Sequence, residues 1–381
     1  MKCIYCKDRN LDLIESFRDL RTISSDCKPW LKGFAMAICK NCGFPQAGVT
    51  QAWEDSAAEI YNSYATYFQT SDFDQAVFVD GEKSWRSDLF VSAVLEHHQP
   101  EVGANLLDFG CGSGNLLRSF SKFRPDLSLF GFDLDARELE SLKSVKNFKQ
   151  LIVGDLRTDL RFNLISMSHT LEHLIDPIQS LQQLSQLLDE DGCLVIAVPD
   201  CSLDPFKLLI ADHCSHFSVE TLSIFLTNSG FNIVQIESRL ETRECWAVCK
   251  KGTSVQKEKL QARNTEWLEK SIDWISIVKT DAQKFAKEYS FGIFGTSINA
   301  LWLFGELELD VNFFVDEDVS RQGTRLFGRP VISPSEVVEG SVVYLPFVPP
   351  LATKIALRLE KKGVSWVVPP SGELFASNGH K

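Results

Sequence analysis

A glycine loop directly after a short apolar strand constrains the fold of this chain more than any other feature. The strand residues 105–109 run into Gly110-Cys111-Gly112-Ser113-Gly114 and then into a predicted helix. Glycines in such a turn let the backbone approach a ligand closely, and the start of the helix favours electron-rich groups. The pattern predicts a strand, loop and helix of a parallel sheet, with a ligand crevice at the carboxyl ends of the strands. The apolar face of this helix comprises Leu116, Leu117, Phe120 and Phe123.

Alternation of apolar strands and amphipathic helices continues to about Lys250, which predicts an open parallel α/β sheet. Ser218 is a candidate N-cap of a helix that ends at Gly230. Residues 231–237 and 245–250 are predicted to form a terminal strand pair. The five preceding strands are predicted at residues 105–109, 128–133, 150–153, 163–167 and 193–198, and a second helical face is predicted at Ile178, Leu181, Leu184, Leu187 and Leu188.

Two further acidic residues follow predicted strands of this sheet. Asp133 stands 25 residues after Asp108, at the end of the second strand, and Asp155 follows the third. A carboxylate at the end of the second strand can accept hydrogen bonds from both hydroxyls of a ribose. The alternative is that these acids only cap helices.

Residues 107–114 resemble the first motif of the class I S-adenosylmethionine-dependent methyltransferases, and they lack the third glycine of the dinucleotide pattern G-x-G-x-x-G. The resemblance implies that the glycine loop contacts the methionine part of S-adenosylmethionine, Asp133 the ribose, and Asp155 with Leu156 the adenine. Residues 168–173 are similar to the family's fourth motif, a loop over the sulfonium. The cofactor-binding residues implied are Asp108, Gly110, Cys111, Gly112, Gly114, Asp133, Leu134, Asp155, Leu156 and Ser168.

Two cysteine pairs stand near the amino terminus, Cys3-x2-Cys6 and Cys39-x2-Cys42. This spacing lets two thiolates of one turn take adjacent corners of a zinc tetrahedron, so we expect one closed structural Zn²⁺ site. The pairs are 32 residues apart, enough for a small subdomain between them. The alternatives are four buried or free thiols, or Cys27 as a substitute ligand.

The candidate catalytic residues are histidines and one tyrosine. His213 and His216 lie after the fifth strand, where the segment 199–218 would overhang the crevice, and a histidine has a pKa suited to a base near neutral pH. His173 belongs to the fourth-motif loop. Tyr64 lies in a tyrosine-rich stretch that is a candidate substrate lid. The alternative roles are loop hydrogen bonding or capping for the histidines and packing for the tyrosine.

A second α/β unit follows a charged, helix-periodic segment at residues 258–287. Its turn Gly292-x-x-Gly295 could mark a nucleotide site or a structural half-Rossmann unit that walls in the substrate. Later strands are predicted at residues 311–315, 341–345 and 365–368. With the cysteine pairs and the central motifs, this unit resembles the zinc-binding nucleotide-sugar C-methyltransferases of deoxysugar pathways. That family has Tyr-His-Glu-His where this chain has Ile210-Ala211-Asp212-His213, so only the last histidine is matched.

The expected domains are a zinc-binding domain at 1–60, a methyltransferase domain at 61–250 with a helical lid at 61–100, a connecting helix at 251–290 and a Rossmann-like domain at 291–381. The fold class is α/β, with a Rossmann-like class I methyltransferase core between the other two domains.

Charge and cysteine content restrict the expected partners. The 51 acidic residues exceed the 39 basic ones, giving a formal charge of −12, which disfavours nucleic acid and anionic membranes. Eleven cysteines without an apolar leader predict a cytoplasmic, reducing location. We expect a monomer or dimer that methylates a small molecule, possibly a nucleotide-linked sugar, at carbon, oxygen or nitrogen. The alternatives are a zinc-knuckle RNA methyltransferase and a catalytically inactive scaffold that binds S-adenosylmethionine.

Overall fold

The computed structural model describes residues 1–63, 74–79, 82–239, 242–252 and 263–376. Their strands form sheets of three, seven and six strands and two separate strand pairs. This architecture confirms the expected α/β class. Within these residues no helix is both long enough and apolar enough to cross a membrane.

The amino-terminal unit is a small antiparallel β structure. Strand β4 pairs with β1 and β5, and β2 pairs with β3. Helix α1 begins after Thr50, whose side chain accepts a hydrogen bond from the Trp53 N–H, and it runs past the boundary predicted after residue 60. The elements are β1 Leu11–Ile14, β2 Arg21–Ile23, β3 Pro29–Lys32, β4 Met36–Cys39, β5 Pro45–Ala47 and α1 Gln51–Asn62.

The described part of the predicted helical lid at 61–100 is not wholly helical. It contains an antiparallel strand pair followed by a helix, and the run Val77-Phe78-Val79 favours a strand because β-branched and aromatic side chains suit a pleated surface. The elements are β6 Ala76–Val79, β7 Glu82–Trp85 and α2 Arg86–His97.

The central sheet has the strand order β10-β9-β8-β11-β12-β14-β13. All neighbours are parallel except β14, which is antiparallel to both of its partners, and this confirms the predicted terminal strand pair. The first two strands have the predicted bounds. The elements are β8 Asn105–Phe109, β9 Ser128–Asp133, β10 Phe148–Val153, β11 Phe162–Ser168, β12 Leu188–Pro199, β13 Phe231–Arg239 and β14 Glu244–Lys251.

Two details of the predicted helix faces are wrong. Phe123, the last residue of α3, is 39% exposed, whereas the other three residues of that face are buried. Leu188 is buried as the first residue of β12, because α5 ends at Leu187. The capping of α6 by Ser218 is confirmed, since its hydroxyl accepts from the Thr221 N–H. The helices are α3 Asn115–Phe123, α4 Leu139–Lys143, α5 Pro177–Leu187 and α6 Val219–Asn228.

The carboxyl-terminal unit contains a sheet of order β17-β18-β16-β15-β19-β20, parallel except for β17. The long helix α7 precedes it and corresponds to the predicted connecting helix. The elements are α7 Arg263–Glu288, β15 Phe291–Phe294, α8 Ile298–Leu307, β16 Phe313–Val315, β17 Arg325–Leu326, β18 Arg329–Ile332, β19 Val342–Tyr344, α9 Pro349–Arg358, β20 Ser365–Val367 and α10 Gly372–Ala376.

The amino-terminal unit is packed between the other two. One buried cluster joins it to α7 and α8 through residues that include Phe17, Ile23, Trp274 and Trp302. The indole N–H of Trp302 donates to the Arg21 carbonyl at 2.8 Å. On its other side, the Phe44 ring packs against Phe217 and Phe225 of the central unit, with ring centroids 5.9 and 5.8 Å away. This packing brings amino-terminal residues close to the carboxyl end of the central sheet.

Candidate functional site

The four cysteines of the two pairs converge on one point. Their sulfur atoms all lie within 4.8 Å of one another, with Cys3 Sγ 3.6 Å from Cys42 Sγ and Cys6 Sγ 3.5 Å from Cys39 Sγ. Tetrahedral zinc with bonds of about 2.3 Å places its sulfur ligands about 3.8 Å apart. Cys27 lies outside this group. The donor set and spacing therefore fit a closed zinc site.

Local turns hold each cysteine pair. The Cys6 N–H donates to Cys3 Sγ at 3.4 Å, and the Gly43 N–H donates to the Cys39 carbonyl at 2.7 Å. Gly43 has φ +72°, the left-handed region that glycine adopts without strain. The hydrogen bond between Cys3 and Cys42 lowers the pKa of Cys3 to about 6 and raises the pKa of Cys42. In this pair Cys42 therefore keeps its proton and Cys3 Sγ accepts the hydrogen bond.

The glycine loop after β8 packs closely on one side and is open on the other. A Cβ on Gly110 would stand 2.3 Å from Thr170 Oγ1, and Gly110 has φ +79°. Gly112, with φ +47°, has no atom within 4 Å of its Cβ position. The loop therefore lies against the segment that follows β11, while its backbone borders open space at Gly112.

Asp133 is joined to this loop by its carboxylate. Asp133 Oδ2 accepts from the Gly112 N–H at 2.8 Å, and Oδ1 accepts from the Leu134 N–H at 2.7 Å. The end of β10 is close, because the Gly154 N–H donates to the Asp133 carbonyl at 2.9 Å. The structure thus brings the predicted residues of the first two strands together at the carboxyl edge of the sheet.

Asp108 and Cys111 are buried beneath the loop. Ser166 Oγ donates to Asp108 Oδ1 at 2.8 Å across β8 and β11, and burial raises the pKa of Asp108 to about 7. A Cβ on Gly131 would stand 2.6 Å from Cys111 Sγ. Gly114 precedes α3 with φ +87° and faces Leu142. These residues shape the loop from below.

The remaining predicted cofactor residues line the edge of the sheet. Asp155 is largely exposed and pairs with Arg157 at 2.6 Å. Leu134 is 68% exposed, Leu156 is partly buried, and the Ser168 carbonyl accepts from Thr170 Oγ1 at 3.2 Å. Asp155 is therefore held less firmly than Asp133.

The loop after β11 carries a buried polar group. His169 has φ +53° and its Nε2 pairs with Glu244. Burial and the nearby Arg86 guanidinium lower the pKa of His169 to about 4. Glu172 is 1% exposed, and neither of its carboxylate oxygens has a hydrogen-bond partner among the described residues.

His173 and His213 meet beside this loop. Their rings are perpendicular, with centroids 4.5 Å apart. His173 Nδ1 lies 3.0 Å from the Asp212 carbonyl and 3.4 Å from Asp212 Oδ2. Ser25 of the amino-terminal unit fixes that carboxylate with its N–H at 2.9 Å and its hydroxyl at 2.5 Å.

The other two candidate catalytic residues lie apart from this pair. His216 is buried, with Nδ1 4.0 Å from Cys201 Sγ, and burial lowers its pKa to about 3. Tyr64 is outside the described residues. Tyr61, at the end of α1, has its ring centroid 5.9 Å from that of His173.

The glycine turn of the carboxyl-terminal unit is closed by its own side chains. Thr296 Oγ1 donates to Asp316 Oδ2 at 2.7 Å, and Arg321 pairs with the same oxygen at 3.5 Å. Asp316 is thus engaged by side chains of its own unit.

Sequence reasoning missed Ser25 and Glu172. Glu172 stands inside the segment similar to the family's fourth motif, so its position in that loop was a usable signal. Ser25 is 187 residues from Asp212, and nothing in its local sequence indicates the contact.

Comparison with known proteins agrees with this geometry. Residues 84–236 match the family model described as "Methyltransferase domain". By this match and by its strand order, the central unit is similar to methyltransferase domains.

The curated relatives are similar over part of their length. The ubiquinone biosynthesis O-methyltransferase of Haemophilus ducreyi is 27% identical over 121 residues, 28% of this chain and 50% of that protein. The tRNA U34 carboxymethyltransferase of Aeromonas salmonicida is 32% identical over 132 residues, 32% of this chain and 39% of that protein. The chain thus spans half or less of the length of these relatives.

Among solved structures, a S-adenosylmethionine-dependent methyltransferase from Clostridium acetobutylicum has a TM-score of 0.37 at 15% identity, covering 53% of this chain and all of that one. A SAM-dependent methyltransferase from Aquifex aeolicus has a TM-score of 0.36 at 18% identity, covering 43% of this chain and 91% of that one.

Proposed function

We propose that the protein transfers a methyl group from S-adenosylmethionine to a small-molecule substrate. The observation that carries this proposal is the position of Asp133 beside open space at Gly112. A carboxylate at the end of the second strand can hold a ribose, and a glycine that borders open space lets the rest of the ligand lie against the backbone.

Each part of the cofactor has a matching surface in this assignment. Gly110, Gly112 and Gly114 hold the methionine part through the backbone. Asp133 accepts from the ribose hydroxyls, and Asp155 contacts the adenine. The exposed Leu134 and the partly buried Leu156 offer apolar area for the adenine ring. When bound, S-adenosylmethionine supplies the electrophilic methyl group.

His213 is proposed as the base that accepts a proton from the substrate. Displacement at a sulfonium methyl needs an oriented nucleophile and, where the nucleophile is poor, a base. His213 lies against His173, and Asp212 orients His173. A hydrogen bond from Ser25 in turn fixes Asp212. His216, His173 and Tyr64 remain secondary candidates.

A nucleotide-linked sugar is the proposed substrate class. The order of cysteine pairs, methyltransferase core and carboxyl-terminal α/β unit supports it. In the family that this order resembles, a base removes a proton beside a 4-keto group and the enolate takes the methyl. Because Ile210 and Ala211 replace two residues of that family's motif, methylation at oxygen or nitrogen is the alternative outcome.

Zinc is proposed as a structural ion at Cys3, Cys6, Cys39 and Cys42. Four thiolates complete its coordination, so the ion has no open position for substrate. Its contribution is to the folding of the amino-terminal unit.

The test is a calorimetric titration of S-adenosylmethionine into the full chain. We expect binding by the wild type, at least tenfold weaker binding by D133A, and unchanged binding by the control D135A. Asp135 is an exposed neighbour whose carboxylate pairs with Arg137 at 2.6 Å. Absence of binding by folded wild type would refute the proposal.

Methyl transfer is then followed with labelled cofactor. We expect label in a 4-keto nucleotide sugar, lost in H213N while cofactor affinity is kept. Equal turnover by H213N and wild type would refute the role of His213. Label in RNA, with binding that weakens as salt rises, would replace the small-molecule assignment with the RNA methyltransferase alternative. Cofactor binding without any transfer would favour the scaffold.

A further inference from the structure

Three potential metal ligands meet at the loop after β11. Glu172, His173 and His213 each present a ligand atom, and these atoms all lie within 4.8 Å of one another. None of the three belongs to the cysteine group, which is the other such cluster in the described part of the chain. Two imidazoles and one carboxylate are a donor set that first-row transition ions bind well.

The carboxylate of Glu172 lacks the partners that a buried acid needs. Its side chain is 1% exposed, and both oxygens are without a hydrogen bond to any described residue. His169 Nδ1 lies 3.5 Å from Oε1 and is not hydrogen-bonded to it. Leaving a buried carboxylate unpaired is costly, and an ion bound to it would remove that cost.

His173 has the kind of outer hydrogen-bond partner that metal-binding histidines have. Its Nδ1 faces the Asp212 carbonyl at 3.0 Å, and a carbonyl only accepts, so Nδ1 carries the proton and Nε2 the lone pair. Asp212 Oδ2 lies 3.4 Å from the same nitrogen. A carboxylate or carbonyl behind the ring is the usual outer partner of a ligating histidine.

The two chain segments that carry the ligands are tied together. The Glu172 carbonyl accepts from the N–H groups of Cys214 and Ser215 at 2.8 and 3.1 Å. The Cys214 thiol donates to the Leu174 carbonyl at 3.1 Å. The ligand atoms are therefore held near one another before any ion binds, and the 14% exposure of the His173 side chain leaves an approach from solvent.

We propose that Glu172, His173 and His213 bind one divalent first-row transition cation, in addition to the zinc of the cysteine site. The inference goes beyond the proposed methyl transfer and does not depend on it. A His213 nitrogen that holds an ion has no lone pair for a proton, so the loaded and the base-competent forms of His213 are alternatives.

The test is a titration of the chelator-treated full chain with Co²⁺, followed by absorbance. We expect two equivalents to bind. One gives the sulfur-to-cobalt charge-transfer band of the cysteine site, and the other gives ligand-field absorption without that band. Excess Mg²⁺ should not displace the second equivalent, because magnesium prefers oxygen ligands.

Variants identify the residues that bind the second equivalent of Co²⁺. E172Q and H213N should weaken the binding of the second Co²⁺ equivalent at least tenfold and leave the charge-transfer band intact. The control H216N alters a buried histidine outside the cluster and should keep both equivalents. X-ray absorption of the wild type provides a measurement that needs no variant, and it should show imidazole and oxygen ligands at the second ion. Binding of one equivalent only, sulfur ligands at both ions, or an unchanged second equivalent in folded E172Q and H213N would overturn the proposal.

These outcomes are separate from those of the proposed function. S-adenosylmethionine binding is measured at Asp133, which contributes no ligand to the cluster. If the wild type binds S-adenosylmethionine but no second cation, only the metal site is refuted. If the wild type binds the second cation but no S-adenosylmethionine, only the cofactor site is refuted.

Discussion

Ser25 donates two hydrogen bonds to the carboxylate of Asp212, one from its backbone N–H at 2.9 Å and one from its hydroxyl at 2.5 Å. Asp212 has no exposed surface and in turn faces His173. Through Ser25, which lies outside its cysteine cluster, the amino-terminal unit therefore fixes a side chain of the central unit beside the proposed active site.

Replacing Ser25 with alanine should lower both stability and activity. The variant keeps the backbone bond but leaves a buried carboxylate with one partner fewer, at a cost of about 1–3 kcal/mol. Urea unfolding measures this cost, and S290A is the control because Ser290 is exposed. Equal free energies of unfolding for S25A and S290A would contradict the structural role of the contact.

Gly110 and Gly103 form a matched pair for testing the close approach at the glycine loop. Both have φ +79°, but a Cβ on Gly103 meets no atom within 4 Å, whereas one on Gly110 would stand 2.3 Å from Thr170 Oγ1. G103A should lose about 1 kcal/mol through backbone strain. G110A should lose clearly more, since Thr170 must also move. Similar losses in thermal unfolding would show that Thr170 yields without cost.

The sheet could be predicted from sequence because its signals are local. The strands Asn105–Phe109 and Ser128–Asp133 are short apolar runs bounded by turn residues, and their observed bounds agree with the predicted ones. Leu188, which is predicted on a helix face but lies in a strand, shows the limit of that signal. An apolar residue at a helix end fits the faces of both elements, and only packing decides between them.

The site could be predicted only where its residues lie in a recognisable motif. Asp133 and the glycine loop follow their strands, so topology brings them together. The contacts of Ser25 with Asp212 and of Glu172 with the histidines depend on how distant segments pack, and composition or periodicity carries no record of that packing. The polar network at this edge of the sheet can therefore be identified only from the structure.

Glu306 is expected to be a major stabilising residue where α7 and α8 meet the amino-terminal unit. Its side chain is 1% exposed and pairs with Lys32 and Lys279 at 3.0 and 3.1 Å. E306A leaves Lys279, itself 18% exposed, without this partner, and should lower the free energy of unfolding by about 3 kcal/mol. The control is E308A, because Glu308 is an exposed partner of Arg21 and should change stability by less than about 0.5 kcal/mol. Equal effects in chemical denaturation would contradict the prediction.

Zinc removal should loosen the amino-terminal unit. We expect one tightly bound zinc per chain that depends on the cysteine pairs, and a lower melting temperature after prolonged chelation, because the site ties the Phe44 packing to the cysteine turns. C39S should lose this zinc, whereas C27S should keep it, since Cys27 lies outside the cluster. Metal analysis and a thermal scan decide the matter, and stability unchanged by chelation would exclude a structural role.

Asp108 should make stability fall as pH rises from about 4 to about 7. Burial raises the pKa of Asp108 to about 7, above the value of about 3.9 in an unfolded chain. Between these values the folded state holds a proton that the unfolded state has released, so unfolding becomes easier with rising pH. D108N keeps an acceptor for Ser166 and does not titrate. Its free energy of unfolding relative to wild type should therefore rise by a few kcal/mol across this range.

Urea unfolding at several pH values between 4.5 and 7.5 measures the difference. D126N is the control, because the hydrogen bond from the Arg124 guanidinium lowers the pKa of Asp126 to about 2. Stability that Asp126 contributes is present above about pH 4 and is lost only as pH falls toward 2, so D126N should run parallel to wild type in the measured range. If D108N also runs parallel to wild type, the Asp108 carboxyl is already ionised in the folded protein, and the crevice beneath the glycine loop is better solvated than its burial indicates.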